Sequence, residues 1–188
     1  MTYDWRRPRP FYRSAVDAPI FLVVLTLVLA VMTRLGIIDL EPGAMQVVDG
    51  DSLRRGDTDI RLHGIDAPEY RQSCRDKHDT EYFCGKQAAD ALRGLVKGKD
   101  ISCASVETDR YGRAVAVCRV GELEINREMV RLGWAIAYSS HGTFYLGVEA
   151  EAKKAKRGIW AGSFERPEDY RLRQRLVRGD LGEPNNPD

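Results

Sequence analysis

Three carboxylates in this sequence lie at turns or at the ends of strand-like segments, where side chains can converge on one point. Asp51 follows a turn at residues 49–50, and Asp66 ends an alternating apolar segment just before Pro68. Carboxylates suit a hard cation such as Ca²⁺, so Asp51 and Asp66 are candidate metal ligands if their strand ends are neighbours. Glu69 follows Pro68, whose fixed φ sets the direction in which the glutamate leaves the strand. Glu69 is a candidate base for an attacking water.

Two arginines complement these carboxylates. Arg61 lies within the segment that Asp66 ends, and Arg113 closes a turn over residues 109–113. A guanidinium donates two parallel hydrogen bonds to a phosphate and offsets charge on a five-coordinate phosphorus. One glutamate, two arginines and one divalent ion meet the needs of phosphodiester hydrolysis. Turns rich in Asp and Gly are usually solvated surface turns, so the prediction depends on the combination of these pieces.

The composition argues against several other kinds of protein. Lys and Arg total 29 against 28 Asp and Glu, a formal net charge of +1, so any phosphate-binding surface must be local. The sequence lacks the phosphate-binding loop, the glycine motif of dinucleotide-binding folds and the helical zinc motif of metalloproteases. None of the 3 histidines lies in a recognisable nucleophile elbow.

The N-terminal segment predicts export. Residues 19–32 carry no charge, and only Arg34 interrupts the apolar stretch up to residue 38, about the 20 residues that cross a bilayer. Four arginines precede it, so we predict a cytoplasmic N-terminus at 1–17 and a transmembrane signal anchor at 18–38. The domain that follows would face the periplasm or the outside of the cell.

A cleaved signal peptide is the alternative to the anchor, with secretion as its consequence. The apolar run is long for a signal peptide and lacks a clear cleavage site. A buried core helix fits less well, because such a helix normally has a polar face.

Cysteines in an exported domain predict disulfides. The 4 cysteines permit three pairings. Two alternating segments flank the turn at residues 109–113, and a hairpin there would bring Cys103 opposite Cys118, leaving Cys74 with Cys84. A zinc site is the weaker reading, because Cys74, His78 and Cys84 offer only three ligands at irregular spacing.

The order of the predicted elements indicates the α+β class. A linker at 39–44 precedes a domain at 45–178, and 179–188 form a flexible tail. Strands precede and follow turns at 49–50 and 109–113, and helices are predicted over 85–96, from a cap at Asn126 to Leu132 and from a cap at Thr143 to Arg157. About five short strands would suit a small closed barrel.

From about Met45 to Trp160 the chain resembles the staphylococcal nuclease (thermonuclease) family. The resemblance is carried by these blocks: DGDS, IRLHGIDAPE, CGKQAADAL, DRYGRAVA, NREMVRLGWA and AEAKKAKRGIW. It implies a five-stranded OB-fold barrel with three helices. It also implies a Ca²⁺-dependent nuclease that cleaves DNA and RNA and leaves 3′-phosphates, most simply as a monomer.

The resemblance also assigns roles to residues. Asp51, Asp66 and the backbone carbonyl of Ala67 would bind Ca²⁺, Glu69 would orient or deprotonate water, and Arg61 and Arg113 would bind the phosphate. Three further positions would lie on the substrate side: Arg110, Tyr111 and Tyr138.

One position departs from the family pattern. Ser140 stands where the family has a second tyrosine, so base stacking there is in question. A second hypothesis is a module of the same fold that binds nucleic acid or protein without catalysis. The presence of all five charged site residues favours the enzyme.

Overall fold

A computed structural model describes residues 17–34, 45–138 and 144–179 of the chain. The chain divides into two compact units, residues 1–44 and 45–188. In the first unit the described residues form one helix, α1 (Asp17–Arg34). The second unit contains the remaining described elements and all the predicted site residues.

The predicted transmembrane span at 18–38 is not supported. Helix α1 has 18 residues and carries a charged residue at each end, Asp17 and Arg34. Among the residues that the structure describes, no helix combines the length and the apolar character needed to cross a membrane. Residues 35–38 of the predicted span lie outside the described part of the chain.

The described part of the second unit contains a mixed sheet and four α-helices, the last of which lies at its C-terminal end. The strands are β1 (Met45–Val47), β2 (Ser52–Arg55), β3 (Thr58–Leu62), β4 (Ile65–Asp66), β5 (Cys74–Arg75), β6 (Glu81–Tyr82), β7 (Ser102–Thr108), β8 (Ala114–Val120), β9 (Leu123–Glu124) and β10 (Ile136–Ala137). The helices are α2 (Cys84–Val96), α3 (Ile125–Arg131), α4 (Leu146–Lys154) and α5 (Pro167–Arg178), with a 3₁₀ helix at Gly158–Ala161.

The main sheet has the order β1-β2-β3-β8-β7, and β9 pairs with β8. Its pairs are antiparallel except for β3 with β8, which is parallel. Two further antiparallel pairs, β4 with β10 and β5 with β6, lie off this path. The α+β class is confirmed, whereas the main sheet has six strands, one more than the five predicted for the barrel. No pairing of β7 with β1 closes it into a barrel among the described residues.

Several predicted elements differ from the structure. The first predicted strand is a hairpin of β1 and β2, and the second is divided at residues 63–64 into β3 and β4. The helices expected at 85–96 and 126–132 are present as α2 and α3. The third expected helix is shorter, Leu146–Lys154, and its expected cap Thr143 lies outside the described residues. Helix α5 was not predicted.

The sequence had indicated Asn126 as a helix cap, but its buried side chain instead links three segments by hydrogen bonds. It lies inside α3 and is 0% exposed. Its amide nitrogen donates to the carbonyl oxygens of His63 and Ala116, at 3.0 and 3.1 Å, and its amide oxygen accepts from the N–H of Cys118 at 3.0 Å. The side chain therefore joins α3 to β8 and to the end of β3, where regular strand pairing stops.

Both disulfides have the predicted pairing. Cys103 and Cys118 face each other in the register of β7 and β8, with their Cα atoms 4.1 Å apart. Cys74 and Cys84 are bonded with their Cα atoms 5.6 Å apart, and this bridge joins β5 to the first residue of α2. Among the described residues no cysteine is free.

Reduction of the disulfides should lower stability. A bridge that closes a loop of about 15 residues contributes roughly 3 kcal/mol in chain-entropy estimates. We therefore expect Cys103→Ala/Cys118→Ala to lower the melting temperature by several degrees in thermal unfolding followed by circular dichroism. A variant with all four cysteines replaced by Ala is the control, because a thiol reductant should not change its melting temperature. Equal melting temperatures for the oxidised and reduced wild type would contradict the prediction.

Candidate active site

The strand register brings the predicted acidic residues to one place. Asp51 directly precedes β2, and Ser52, the first residue of β2, pairs with Arg61 of β3. The backbone N–H of Leu62 donates to the carbonyl of Asp51 at 2.8 Å, which extends the pairing by one step. Asp66 ends β4, the strand that follows β3 after the turn at residues 63–64. The start of β2, the end of β4 and Arg61 of β3 therefore lie close together.

Arg61 links the two aspartates. Its Nη2 donates to Asp66 Oδ1 at 2.8 Å and to Asp51 Oδ2 at 3.2 Å. The backbone N–H of Ala67 also donates to Asp51 Oδ2, at 3.1 Å, and the hydroxyl of Ser52 donates to Asp51 Oδ1 at 2.9 Å. The structure therefore brings together Asp51, Arg61, Asp66 and Ala67, as the sequence had indicated.

The aspartates are buried, and this burial changes their acidity. Asp51 is 3% exposed and Asp66 is 0% exposed. Loss of solvation raises the pKa of Asp66, against the lowering effect of the Arg171 and Arg61 guanidinium groups. Burial and the neighbouring charge of Asp51 raise the pKa of Asp49 to about 7. Burial therefore disfavours the charged forms of these carboxyl groups, and the guanidinium groups of Arg61 and Arg171 act against that effect at Asp66.

Glu69 lies on a loop that a buried glutamine fixes. Gln72 is 0% exposed, and its side-chain oxygen accepts from the N–H of Glu69 at 3.2 Å. The backbone N–H of Gln72 donates to the backbone carbonyl of Glu69 at 2.7 Å. The amide nitrogen of Gln72 donates to the carbonyl of Glu165 at 2.7 Å. One buried amide therefore connects the Glu69 loop to the segment that leads into α5.

A close approach of α2 fixes the same loop from the other side. Gly85, the second residue of α2, lies so near the loop that a Cβ atom built on it would be 1.7 Å from the carbonyl oxygen of Glu69. Only glycine permits this approach. The disulfide of Cys84 and the contact at Gly85 thus hold the helix start against the loop that carries Glu69.

Arg171 of α5 is a site residue that the sequence analysis missed. Its Nη1 donates to Asp66 Oδ1 at 3.0 Å and to Glu69 Oε1 at 2.9 Å, and its Nη2 donates to Asp66 Oδ2 at 3.0 Å. Although burial lowers the pKa of Arg171, its bonds to Asp66 and Glu69 raise it above the ordinary value, so the side chain is cationic. No short-range pattern could have found Arg171, because 102 residues separate it from Glu69.

Of the remaining predicted residues, Arg110, Tyr111 and Arg113 lie at the hairpin tip, whereas Tyr138 lies beside Gly64. Arg113 donates to Asp109 Oδ2 at 2.7 Å through Nε, and in the described part of the chain it contacts none of the three acidic site residues. The guanidinium carbons of Arg110 and Arg113 lie 5.7 and 5.5 Å from the ring centroid of Tyr111, which is 71% exposed. The N–H of Tyr138 donates to Gly64 at 2.9 Å. Ser140 lies outside the described residues.

The donors at the acidic pair fit a hard cation. Within the described ranges no group of three or more His, Cys, Asp or Glu side chains could hold a metal ion. The predicted set differs from such a group because it combines two carboxylates with the backbone carbonyl of Ala67. Oxygen donors of this kind, buried beside a third carboxylate at Asp49, are the chemistry that Ca²⁺ prefers.

Arginines already occupy part of this donor set. A carboxylate offers about four lone-pair positions. Asp66 Oδ1 accepts from both Arg61 and Arg171, while Asp66 Oδ2 accepts from Arg171 alone. Asp51 Oδ2 accepts two hydrogen bonds and Asp51 Oδ1 accepts one from a side chain. One lone-pair position on Asp51 Oδ1 and one on Asp66 Oδ2 therefore remain beside these hydrogen bonds.

Comparison with known proteins gives one family and several relatives. A family model described as staphylococcal nuclease homologue matches residues 59–162, more than half of the chain. An uncharacterized endonuclease of Haemophilus influenzae is 32% identical over 165 residues, which cover 82% of this chain and 87% of that protein. Succinoglycan biosynthesis protein ExoI of Rhizobium meliloti is 32% identical over 121 residues, or 63% of each chain. The probable endonuclease LCL3 of Schizophyllum commune is 32% identical over 145 residues.

The matched regions leave part of this chain and of its relatives uncovered. The alignment spans 63% of the length of ExoI and 48% of the length of LCL3. The family match begins at residue 59 and ends at residue 162, so Asp51 on one side and Arg171 on the other lie outside it. Two of the side chains that contact Asp66 or Arg61 therefore come from segments that the family model does not describe.

The contact between α2 and the Glu69 loop can be tested with a pair of glycines in one helix. We expect Gly85→Ala to lower the free energy of unfolding by about 1–3 kcal/mol, because the new methyl group overpacks a backbone contact. Gly94→Ala is the matched control: nothing lies within 4 Å of its Cβ position, and the change should stabilise α2 by about 0.5–1 kcal/mol. Urea unfolding followed by tryptophan fluorescence measures both, and equal effects of the two changes would contradict the packing described.

Proposed function

Since this chain belongs to the family of staphylococcal nuclease homologues, we propose that it is a nuclease that uses Ca²⁺ to hydrolyse phosphodiester bonds of DNA and RNA. The observation that carries the proposal is the buried aspartate pair bridged by Arg61, with Glu69 joined to Asp66 through one guanidinium. Relatives named as endonucleases support the reaction class.

Each side chain has a defined part in this reaction. Glu69, about one-third exposed, would accept a proton from a water that attacks phosphorus. Arg61 is half-buried and would stabilise the charge that develops on the phosphate oxygens. Asp51, Asp66 and the carbonyl of Ala67 would hold Ca²⁺, which would supply further positive charge to the same phosphate.

Arg113 requires a change of partner to act. In the structure it pairs with Asp109 at the hairpin tip, and both side chains are partly exposed. Ion pairs near the surface contribute only about 0–1 kcal/mol, so exchange of Asp109 for a phosphate costs little. We assign Arg113 to the phosphate on this basis, together with Arg110, Tyr111 and Tyr138 on the substrate side.

The products follow from the bond that breaks. In the proposed reaction, water forms a new P–O bond, Glu69 takes its proton, and the bond between phosphorus and the 5′ oxygen breaks. The 5′ oxygen leaves as a hydroxyl after it gains a proton, and the phosphate remains on the 3′ oxygen. The products would be a 3′-phosphate and a 5′-hydroxyl.

The disulfides favour an oxidising compartment as the place of action. Structural disulfides persist outside the cytoplasm and are rare within it. Both bridges here join elements of the proposed active site or of its hairpin. We therefore propose that the domain acts in the periplasm or outside the cell.

The alternative function is a binding module without catalysis. One observation favours it: Arg171 occupies Oε1 of Glu69 and both side-chain oxygens of Asp66. An arginine held there permanently would leave the base engaged and would compete with a cation. The two experiments below separate the module from the enzyme.

Glu69→Gln should abolish most of the activity without unfolding the protein. The amide keeps the size of the side chain but cannot take a proton, and loss of a general base typically lowers the rate by about 10²–10⁴-fold. The measurement is kcat on single-stranded DNA with Ca²⁺. Glu151→Gln in α4 is the control, because Glu151 is exposed and is not one of the proposed site residues. If Glu69→Gln cleaves at the wild-type rate, or if the wild type is inert at every Ca²⁺ concentration, the binding module is the better account.

Asp51→Asn should weaken Ca²⁺ binding instead. Loss of even an outer partner of a metal ligand typically costs about 10–100-fold in affinity, so loss of a ligand should cost at least that much. Titration calorimetry with Ca²⁺ should show the weaker binding, and high Ca²⁺ should restore part of the activity. Asp57→Asn, an exposed residue in the β2–β3 turn, is the control. Unchanged Ca²⁺ affinity in Asp51→Asn would remove Asp51 from the ligand set.

A further inference from the structure

Helix α5 concentrates positive charge in a chain whose net charge is close to zero. The chain has a formal net charge of +1, whereas the 12 residues of α5 include two acidic residues in the first turn and four arginines after it. Arg171, Arg175 and Arg178 are spaced by four and three residues, so they lie on one face of the helix. We call these three residues the arginine face.

Arg171 fixes where this face begins. Its contacts with Asp66 and Glu69 place the first arginine of the face at the proposed reaction centre. A helix rises about 1.5 Å per residue, so the face extends about 10 Å from that centre. Along one strand of a duplex this length corresponds to about three nucleotides.

The outer part of the face is exposed, and within residues 17–34, 45–138 and 144–179 no carboxylate pairs with it. Arg175 and Arg178 are exposed, and their side chains form no ion pair among the described residues. Arg173 differs: it lies on another face and is bound by the carboxylate of Glu165, at 2.8 Å from Nη2. The helix therefore separates one neutralised arginine from two that are available to a ligand.

Helix α5 is attached to the rest of the domain mainly by polar contacts. Pro167 is the buried residue of the helix, and Leu172, Leu176 and Val177 are 44%, 56% and 77% exposed. The helix is instead fixed at its start by the bond from Gln72 to Glu165 and at its second turn by Arg171. A helix with so little buried apolar surface contributes little to the core.

From these observations we infer that the outer two residues of the arginine face, Arg175 and Arg178, bind the backbone phosphates of the polynucleotide next to the bond that is cleaved. This inference rests on the proposed nuclease function and extends it to residues beyond the family match, which ends at residue 162. Guanidinium groups suit the partner, because each can donate two parallel hydrogen bonds to one phosphate. Contacts to phosphates carry no sequence information, so the arginine face would strengthen binding equally for all sequences.

The test is the salt dependence of binding for Arg175→Gln/Arg178→Gln. Both side chains are exposed, so the variant should fold, and Arg171 stays unchanged because it contacts the reaction centre. Each lost phosphate contact should reduce the slope of log K against log salt by about 0.7 on a single strand, or about 1.4 for the pair. At about 0.1 M salt this corresponds to an affinity about 25-fold weaker.

The measurement is fluorescence anisotropy of a labelled 20-nucleotide single strand with Ca²⁺, with all proteins carrying Glu69→Gln to prevent cleavage. Arg173→Gln is the matched control, since it removes one charge from the same helix but from a side chain that Glu165 already neutralises. One freely available arginine would account for half of the slope change of the double variant. We expect Arg173→Gln to change the slope by much less than that. Equal slopes for the double variant and its parent would overturn the inference.

Two further outcomes separate this inference from the proposed function. If the wild type cleaves DNA but the double variant binds DNA like its parent, the arginine face is wrong and the nuclease proposal stands. If the wild type neither binds nor cleaves nucleic acid, both fail. Binding of anionic phospholipid vesicles that the double variant loses, with unchanged DNA affinity, would assign the face to a lipid surface and overturn the inference.

Discussion

The bridge from Arg61 to Asp51 and Asp66 is the interaction on which the site depends. Two carboxylates that are almost fully buried cannot both remain ionised without a cation within reach. Arg61 supplies that charge from the middle of β3, and the pairing of β2 with β3 sets its position. Removal of one partner from a buried ion pair typically costs about 3–5 kcal/mol, because the other charge is left alone. The register of β2 and β3 therefore determines whether Arg61 can neutralise the two aspartates.

A second guanidinium changes what a metal ion must do here. Arg171 neutralises charge that Ca²⁺ would otherwise neutralise, and it takes three hydrogen-bonding positions on Asp66 and Glu69. The protein can thus hold its acidic residues together before a cation arrives. The structure places this second charge on a helix that is weakly buried, whereas the first charge lies in the central sheet. The two guanidinium groups that neutralise the acidic residues are therefore carried by different parts of the fold, the central sheet and the C-terminal helix.

The sequence predicted those features that depend on local patterns. Alternation with a period of two residues on both sides of a turn was enough to place Cys103 opposite Cys118. The positions of Asp51, Arg61 and Asp66 followed from strand ends and from the family resemblance. Helix α5 escaped because polar residues predominate in its sequence, and only the fold brings Arg171 to Asp66. Asn126 was misassigned because a helix cap and a buried amide require the same residue type.

The Gln72 amide has a consequence for where the domain ends. The family match stops at residue 162, yet the buried side chain of Gln72 finds its acceptor at Glu165, three residues later. A chain cut at the family boundary would lose that acceptor, and a buried donor left without one costs about 1–3 kcal/mol. The same cut would remove Arg171 and leave the acidic residues with Arg61 as their described guanidinium partner. The contacts that hold this site together therefore extend beyond residue 162, where the family match ends.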